Sequence, residues 1–145
     1  IGLPGDEIQF IKGELFINGN KILREKTKIF EPIKCGNFPF ETDTYIETLP
    51  NGKSYEVLNI RRQRTDNTKV YTVPEGHYFF IGDNRDNSTD SRIAQNFTYP
   101  SSSGVGFVEY KNLIGRADRI MFSSAGRSML FFWTWRSDRF FREVI

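Results

Sequence analysis

Apolar and polar residues alternate in short runs along the first two-thirds of the chain, a period typical of β-strands with one buried face. The first two runs are Ile8–Phe10 and Leu15–Ile17, and they flank Gly13-Glu14. Asn18-Gly19 follows the second run, and this dipeptide is a strong signal for a tight hairpin turn. The pattern therefore predicts a β-meander at the start of the chain.

Two more hairpins are predicted further along. Thr44–Leu49 and Ser54–Leu58 are rich in strand-favouring residues and flank the turn Pro50-Asn51-Gly52-Lys53. Val70–Val73 and Tyr78–Ile81 flank a Pro-Glu-Gly turn, so we expect these two runs to pair with each other.

The remaining strands and loops complete an all-β prediction. Gly106–Val108 and Leu113–Phe122 are predicted as strands, and Gly115 in the second marks a bulge or a close backbone approach. Lys26–Asp43 and Arg61–Lys69 lack clear periodicity and are predicted as surface loops. We therefore expect antiparallel hairpins and a meander that form a partly open β domain with long surface loops.

The closing stretch, residues 127–145, is predicted as a short aromatic and basic tail, either a short helix or extended chain. Two interpretations stay open. In one, the aromatic rings cap the open end of the β core. In the other, they lie at the headgroup level of a membrane while the arginines meet anionic lipid, and both can hold at once. The residues concerned are Phe131, Phe132, Trp133, Trp135, Phe140 and Phe141, with Arg136, Arg139 and Arg142.

Length and composition fit one soluble domain, or part of one, over residues 1–145. The chain has 145 residues, 38% of them hydrophobic, and 12 glycines, as in ordinary globular proteins. Its longest apolar runs, Tyr78–Ile81 and Met129–Trp133, fall far short of the ~20 residues that a membrane-spanning helix needs. The formal net charge of +2 argues against a nucleic-acid partner, although the six arginines from Arg116 onward give the end of the chain a basic excess.

Several kinds of site are excluded by residue counts. Cys35 is the only cysteine, so the chain has no intrachain disulfide and no cysteine-based metal site. His77 is the only histidine, which excludes the usual zinc clusters. It lies on a short turn with no fixed relation to a serine, so a Ser-His-Asp triad is not expected either. We expect no metal and no cofactor.

The segment Gly82–Arg92, which reads GDNRDNSTDSR, concentrates three carboxylates, two arginines and two serines directly after an apolar strand. One interpretation is a surface turn held by side-chain to backbone hydrogen bonds. A calcium loop fails, because its sixth and twelfth positions are Ser91 and Phe97 rather than glycine and glutamate. Asp90 and Arg92 are placed to pair and brace the loop, which would hold the Ser88 hydroxyl rigidly.

GDNRDNSTDSR resembles the C-terminal signature of the bacterial type I signal peptidases, and the chain looks like the C-terminal part of their catalytic region. Ile1–Asp6 is similar to the end of the motif that carries their catalytic lysine, and Asn112–Arg116 resembles a third family segment. The hairpin turn at residues 49–52 and the turn at residues 73–76 resemble the α-proteobacterial branch. The resemblance implies an all-β, membrane-anchored endopeptidase that cleaves signal peptides from exported preproteins with a serine nucleophile and a lysine base.

The resemblance also assigns supporting roles within the signature. Ser88 matches a serine that hydrogen-bonds the lysine amine, while Asp90 and Arg92 match the ion pair that braces the loop. Gly82 matches a small residue that leaves room beside the site, and Asp83 matches a carboxylate that can partner an upstream arginine.

The catalytic pair itself is expected outside these 145 residues. Because the first residue is Ile1 rather than methionine, we expect sequence that precedes it. The resemblance implies that the lysine lies two or three residues before Ile1, with the nucleophilic serine further upstream and a membrane anchor before that. We therefore expect this chain alone to be inactive, and the intact enzyme to lie in the bacterial inner membrane with its catalytic domain facing the periplasm. The alternative is a non-catalytic β module that binds a peptide or a membrane surface.

Overall fold

The computed structural model is all-β in the residues that it describes, which confirms the predicted fold class. All strand pairings are antiparallel, the sheets are open, and helical structure is limited to short 3-10 turns. The described residues are 2–27, 34–35, 38–39, 43–60, 62–96, 98, 103–124 and 130–144. The strands are β1 Glu7–Ile11, β2 Glu14–Ile17, β3 Asn20–Lys21, β4 Leu23–Lys26, β5 Lys34–Cys35, β6 Phe38–Pro39, β7 Asp43–Thr48, β8 Ser54–Asn59, β9 Tyr71–Thr72, β10 His77–Tyr78, β11 Val108–Glu109, β12 Arg119–Ile120 and β13 Arg142–Glu143.

The predicted meander forms a four-stranded sheet in the order β3-β2-β1-β9. Ile8 lies opposite Ile17 and Phe10 opposite Leu15, so the alternating residues share one face. That face carries the hydrophobic core, where Ile8, Phe10 and Leu15 are at most 1% exposed. Ile22, Val73 and Phe79 complete the buried cluster.

The second predicted hairpin is also confirmed. β7 and β8 pair from Asp43 opposite Asn59 to Thr48 opposite Ser54, and Leu49 closes the turn by donating to the Lys53 carbonyl at 2.8 Å. β4, which the sequence did not predict, pairs with the outer edge of β7 to give the order β4-β7-β8.

The predicted pairing of residues 70–73 with residues 78–81 is wrong. β9 pairs instead with β1, β10 pairs with β11, and Phe79 bridges to Gly2. The segment before β1 bonds to the backbone of Val73, since Val73 N–H donates to the Asp6 carbonyl and Gly5 N–H to the Val73 carbonyl, both at 2.9 Å. The Pro-Glu-Gly turn therefore separates two strands that find different partners.

The long strand predicted at residues 113–122 is also wrong. Only Arg119–Ile120 is a strand, and it pairs with β13. Gly115 is neither a bulge nor a close approach, because a Cβ at this position would meet nothing within 4 Å. The strand predicted at residues 106–108 is shifted to Val108–Glu109.

The two predicted loops are only partly irregular. Lys26 ends β4 and Asp43 begins β7, and between them the short strands β5 and β6 pair with each other. Residues 28–33, 36–37 and 40–42 lie outside the described residues. Residues 62–69 follow the prediction, except that Asp66, in the 3-10 turn Arg64–Asp66, is buried. Within its described residues, 130–144, the tail is neither one helix nor simply extended, since it contains the 3-10 turns Phe132–Thr134 and Ser137–Arg139, followed by β13.

The chain divides into two compact units, residues 1–112 and residues 113–145. The first contains both larger sheets and the core cluster. Among the described residues, no helix has the length and apolar character to cross a bilayer.

Candidate active site

The signature segment, residues 82–92, is held at both ends by hydrogen bonds to neighbouring parts of the first unit. At its start, Leu58 N–H donates to the Asp83 carbonyl at 2.9 Å and Arg85 N–H donates to the Leu58 carbonyl at 3.0 Å. At its end, Ser91 N–H donates to the Phe80 carbonyl, and the Ser91 hydroxyl accepts from Phe80 N–H at 2.9 Å. The segment is thus a loop whose end is hydrogen-bonded to Phe80, two residues before its start.

The predicted pair of Asp90 and Arg92 is present and buried. Arg92 Nε donates to Asp90 Oδ1 at 2.8 Å and its terminal nitrogen donates to Oδ2 at 2.9 Å, a bidentate arrangement. Asp90 Oδ2 also accepts from Gly82 N–H at 3.0 Å. Burial by itself raises the pKa of Asp90, but the hydrogen bonds from Arg92 and Gly82 outweigh it and hold that pKa below its ordinary value.

A second buried ion pair, which the sequence reasoning missed, joins the loop to β7. Arg85 donates to Glu47 Oε1 at 3.0 Å and to Oε2 at 2.5 Å, and Glu47 is 0% exposed. The Tyr55 hydroxyl donates to the same Oε2 at 3.1 Å. Burial and the neighbouring Glu47 charge raise the pKa of Tyr55, so the phenol keeps the proton that it donates.

The two ion pairs are connected through the loop backbone. Arg92 donates from its terminal nitrogen to the Arg85 carbonyl, and Arg85 Nε donates to the Gly82 carbonyl at 3.3 Å. The ring of Phe10 lies beneath both guanidinium groups, 5.5 Å from that of Arg85 and 5.2 Å from that of Arg92. One network of charge-assisted hydrogen bonds therefore joins the loop to β7, and both of its arginines contact the core residue Phe10.

Gly82 and Ser88 lie in direct contact. A Cβ added at Gly82 would overlap Ser88 Oγ and lie 2.5 Å from Ser88 Cβ, so only glycine fits here while the loop keeps its shape. Among the described residues, the Ser88 hydroxyl has no hydrogen-bond partner, and the side chain is half-buried. The loop thus holds the Ser88 hydroxyl beside Gly82, half-buried and without a hydrogen bond to any other described residue.

Asp83 lies apart from this network. It is exposed, and its Oδ1 accepts only from the neighbouring Asn84 N–H at 2.8 Å. Asp86, to which the sequence reasoning gave no role, anchors the loop instead, since it accepts from Ile60 N–H through Oδ2 and from Gln63 Nε2 through its carbonyl at 2.6 Å.

Among the described residues of this site, no serine hydroxyl is hydrogen-bonded to a histidine or a lysine. His77 Nδ1 lies 2.8 Å from the Glu75 carbonyl and belongs to β10. Within the part of the chain that the structure describes, no group of three or more histidines, cysteines or carboxylates is arranged to hold a metal ion. The half-buried Ser88 hydroxyl can donate or accept one further hydrogen bond.

The structure therefore brings four of the five candidate residues together. Gly82, Ser88, Asp90 and Arg92 share the network, whereas Asp83 lies at the surface. Glu47 escaped prediction because it lies 38 residues from Arg85 within a strand of alternating polar residues. The one available signal was that a charged side chain at an inward position of a strand needs a buried partner.

Comparison with known proteins identifies relatives of the chain. A family model described as "Signal peptidase, peptidase S26" matches residues 1–122. A protein called signal peptidase I from Rickettsia typhi is 42% identical over 131 residues, and another from Rickettsia conorii is 41% identical over 134 residues. Each alignment covers 86% of this chain and 44% of the relative, so the chain spans less than half the length of these relatives. No solved structure matches the chain significantly.

Proposed function

The chain belongs to the signal peptidase family, peptidase S26, and on this premise we propose that the protein is a serine endopeptidase that cleaves signal peptides from exported preproteins. The observation that carries the proposal is the loop of residues 82–92, where two buried ion pairs and Gly82 hold the Ser88 hydroxyl in place. Residues 1–145 supply this supporting part of one catalytic domain. A serine nucleophile and a lysine base outside these residues complete it.

The backbone register supports a place for the lysine beside Ser88. Gly2 and Phe79 form an antiparallel bridge with both hydrogen bonds at 2.9 Å. In an antiparallel pair, each step back from Gly2 matches one step forward from Phe79. A lysine two or three residues before Ile1 would then lie opposite Gly82 or Asp83. Gly82 is the residue against which Ser88 packs.

A hydroxyl at this position has a defined task. A lysine acts as a base only when its amine is neutral, and burial lowers its pKa toward that state. Its four-carbon stem is flexible, so another group must hold the amine toward the nucleophile. The Ser88 hydroxyl can accept from the amine or donate to it as the charge changes. In the same proposal, Asp83 is free to pair with an upstream arginine.

A chimaera tests the proposed activity. Residues 1–122 of this chain replace the matching segment of the Rickettsia typhi relative, and the purified protein is incubated in detergent with a preprotein whose products are identified by mass spectrometry. We expect cleavage at the signal-peptide junction by the chimaera and none by the isolated 145-residue chain. A chimaera with the circular dichroism spectrum of the parent but no cleavage would refute the proposal and favour a non-catalytic β module.

We also propose that the second unit binds an anionic membrane surface, which suits an enzyme of the bacterial inner membrane whose catalytic domain faces the periplasm. The tail keeps large apolar residues in water, since Phe132 is 68% exposed and Trp133 is 67% exposed. Arginines at positions 136, 139 and 142 accompany these rings. Exposed aromatic and basic residues together are typical of surfaces that enter the lipid headgroup region.

Cosedimentation with vesicles tests the membrane proposal. The full chain should bind vesicles of anionic phospholipid, less so as salt rises, because each arginine contributes about 1 kcal/mol near such a surface. The double variant Phe132→Ser/Trp133→Ser should lose most of this binding. The control Tyr110→Ser removes a ring of the first unit that is 67% exposed, and it should bind as the parent does. Equal losses in both variants would contradict a specific role for the tail.

A further inference from the structure

A cavity of about 450 Å³ opens beside the β1–β2 turn in the first unit. We call it the turn cavity. One of its lining residues, Ile60, donates its N–H to Asp86 of the signature loop. Three basic residues line it, Lys12, Arg24 and Arg62, together with the carboxylates Glu14, Asp43 and Asp66. A second cavity of about 270 Å³ shares Lys12, Arg62 and Asp66 with it. The volume falls within the range of pockets that bind small molecules.

The carboxylates of the turn cavity are already engaged. Glu14 pairs with Lys21 at 2.8 Å, and Asp43 pairs with Lys26 at 2.6 Å. Asp66 Oδ2 accepts from the backbone N–H of Gln63 at 2.9 Å. Lys21 and Lys26 lie outside the lining and balance two of its three carboxylates.

The cations of the lining are not engaged in the same way. Within the described residues, none of Lys12, Arg24 and Arg62 forms an ion pair with a carboxylate. Arg24 comes near Asp43, whose pKa it helps to lower, but the two make no direct contact. The positive charge of the cavity is thus available to a ligand.

Arg24 is the fixed element of this site. Its guanidinium stacks on the Tyr45 ring at 3.7 Å and donates one hydrogen bond, from NH1 to the Gly13 carbonyl at 2.7 Å. Its Nε is buried and has no hydrogen-bond partner. Its other terminal nitrogen forms no hydrogen bond within the described residues, so this charged donor remains for an anion.

Lys12 occupies an unusual backbone position at the rim of the cavity. Its φ of 54° and the 79° of Gly13 lie in the left-handed region, where lysine is less favourable than asparagine or glycine. The turn is held in that shape from outside, since Lys12 N–H donates to Asn67 Oδ1 and Gly13 N–H to the Asp66 carbonyl, both at 2.9 Å. A strained residue that places a cation at a cavity points to a binding role.

We propose that the turn cavity binds a phosphate group, with Arg24, Lys12 and Arg62 as its ligands. A phosphate group has more acceptor oxygens than a carboxylate, so it can bond to several cationic side chains at once. The volume leaves room for a small polar substituent on the phosphate. The source is either a free phosphate compound or a phospholipid headgroup, which present the same group to the three cations.

Calorimetric titration of the full 145-residue chain tests the proposal. The probes are inorganic phosphate and sn-glycero-3-phosphoglycerol, the headgroup of an anionic phospholipid, with sodium chloride at equal ionic strength as the reference. We expect saturable one-to-one binding of at least one probe. Preference for inorganic phosphate identifies a free phosphate compound as the source, and preference for the phosphodiester identifies the headgroup.

Single variants locate the binding. Arg24→Gln and Arg62→Gln should each weaken it about tenfold or more, as expected for loss of a charge-assisted hydrogen bond. Lys53→Gln removes the same charge from an exposed turn outside the cavity and should change little. Because the Arg62 side chain is exposed, its variant should fold even where Arg24→Gln does not. Absence of saturable binding of either probe, or equal affinity in the parent and Arg62→Gln, would overturn the proposal.

Discussion

Replacing Glu47 by glutamine should destabilise the first unit strongly. Glu47 is 0% exposed and accepts three hydrogen bonds, two from Arg85 and one from Tyr55. Glutamine has nearly the same shape but only one acceptor oxygen. If that oxygen keeps the Oε2 position, the new amide group faces the other Arg85 nitrogen, which is also a donor.

The expected cost follows from the burial of the partner. Arg85 is 4% exposed, so the substitution leaves a buried cation without its counter-charge. Breaking one side of a buried ion pair costs about 3–5 kcal/mol. This is a large share of the ~5–15 kcal/mol by which domains are typically stable. Removing both charges, as in Glu47→Met/Arg85→Met, should cost less than the single change, because no unpaired charge remains.

Urea unfolding measures this difference, with amide NMR signals from residues 2–112 as the probe so that the second unit does not contribute. The control is Glu56→Gln, on the exposed side of β8, which should change the free energy of unfolding by less than about 0.5 kcal/mol. If Glu47→Gln unfolds at the same urea concentration as Glu56→Gln, the pair does not brace the loop and the reasoning is refuted. If Glu47→Gln does not fold, a folded double variant still supports it.

Two further outcomes follow from the same network. Folding lowers the pKa of Asp90, so its contribution to stability is fully present above its unfolded pKa of ~3.9 and is lost as pH falls through the folded value. The difference in unfolding free energy between the parent and Asp90→Asn, measured in urea, should therefore be constant above about pH 5 and narrow below about pH 4. A difference that widens on acidification would contradict this. Gly82→Ala forces a Cβ into Ser88, so turnover of the chimaera should fall. The urea midpoint should change by less than it does for Glu47→Gln. Unchanged turnover would show that the contact between Gly82 and Ser88 is unimportant.

The sequence was sufficient where structure depends on neighbours along the chain. Alternation gave the meander and Asn51-Gly52 the β7–β8 hairpin, since a tight turn and a buried face together set strand register. Prediction from the sequence was wrong where the pairing strands are far apart along the chain. The turn at residues 74–76 looks like a hairpin, yet β9 pairs with β1 and β10 with β11. Nothing local distinguishes these partners.

The candidate site shows the same division. Asp90 and Arg92 are two residues apart, so their pairing could be read from the sequence. Glu47 and Arg85 are distant, and their contact exists only because β8 brings Leu58 against Asn84. The packing of Gly82 on Ser88 likewise requires the loop to fold back, which its sequence suggests but does not determine.

The central claim is that Ser88 holds the catalytic lysine, and the pH profile of turnover tests it most directly. In the chimaera, Ser88→Ala should lower kcat by roughly 5- to 150-fold, the equivalent of about 1–3 kcal/mol, and shift the alkaline optimum while KM stays the same. Thr89→Ala, which removes a neighbouring exposed hydroxyl, should leave the profile unchanged. A Ser88→Ala profile that superimposes on that of the parent at every pH would contradict the account.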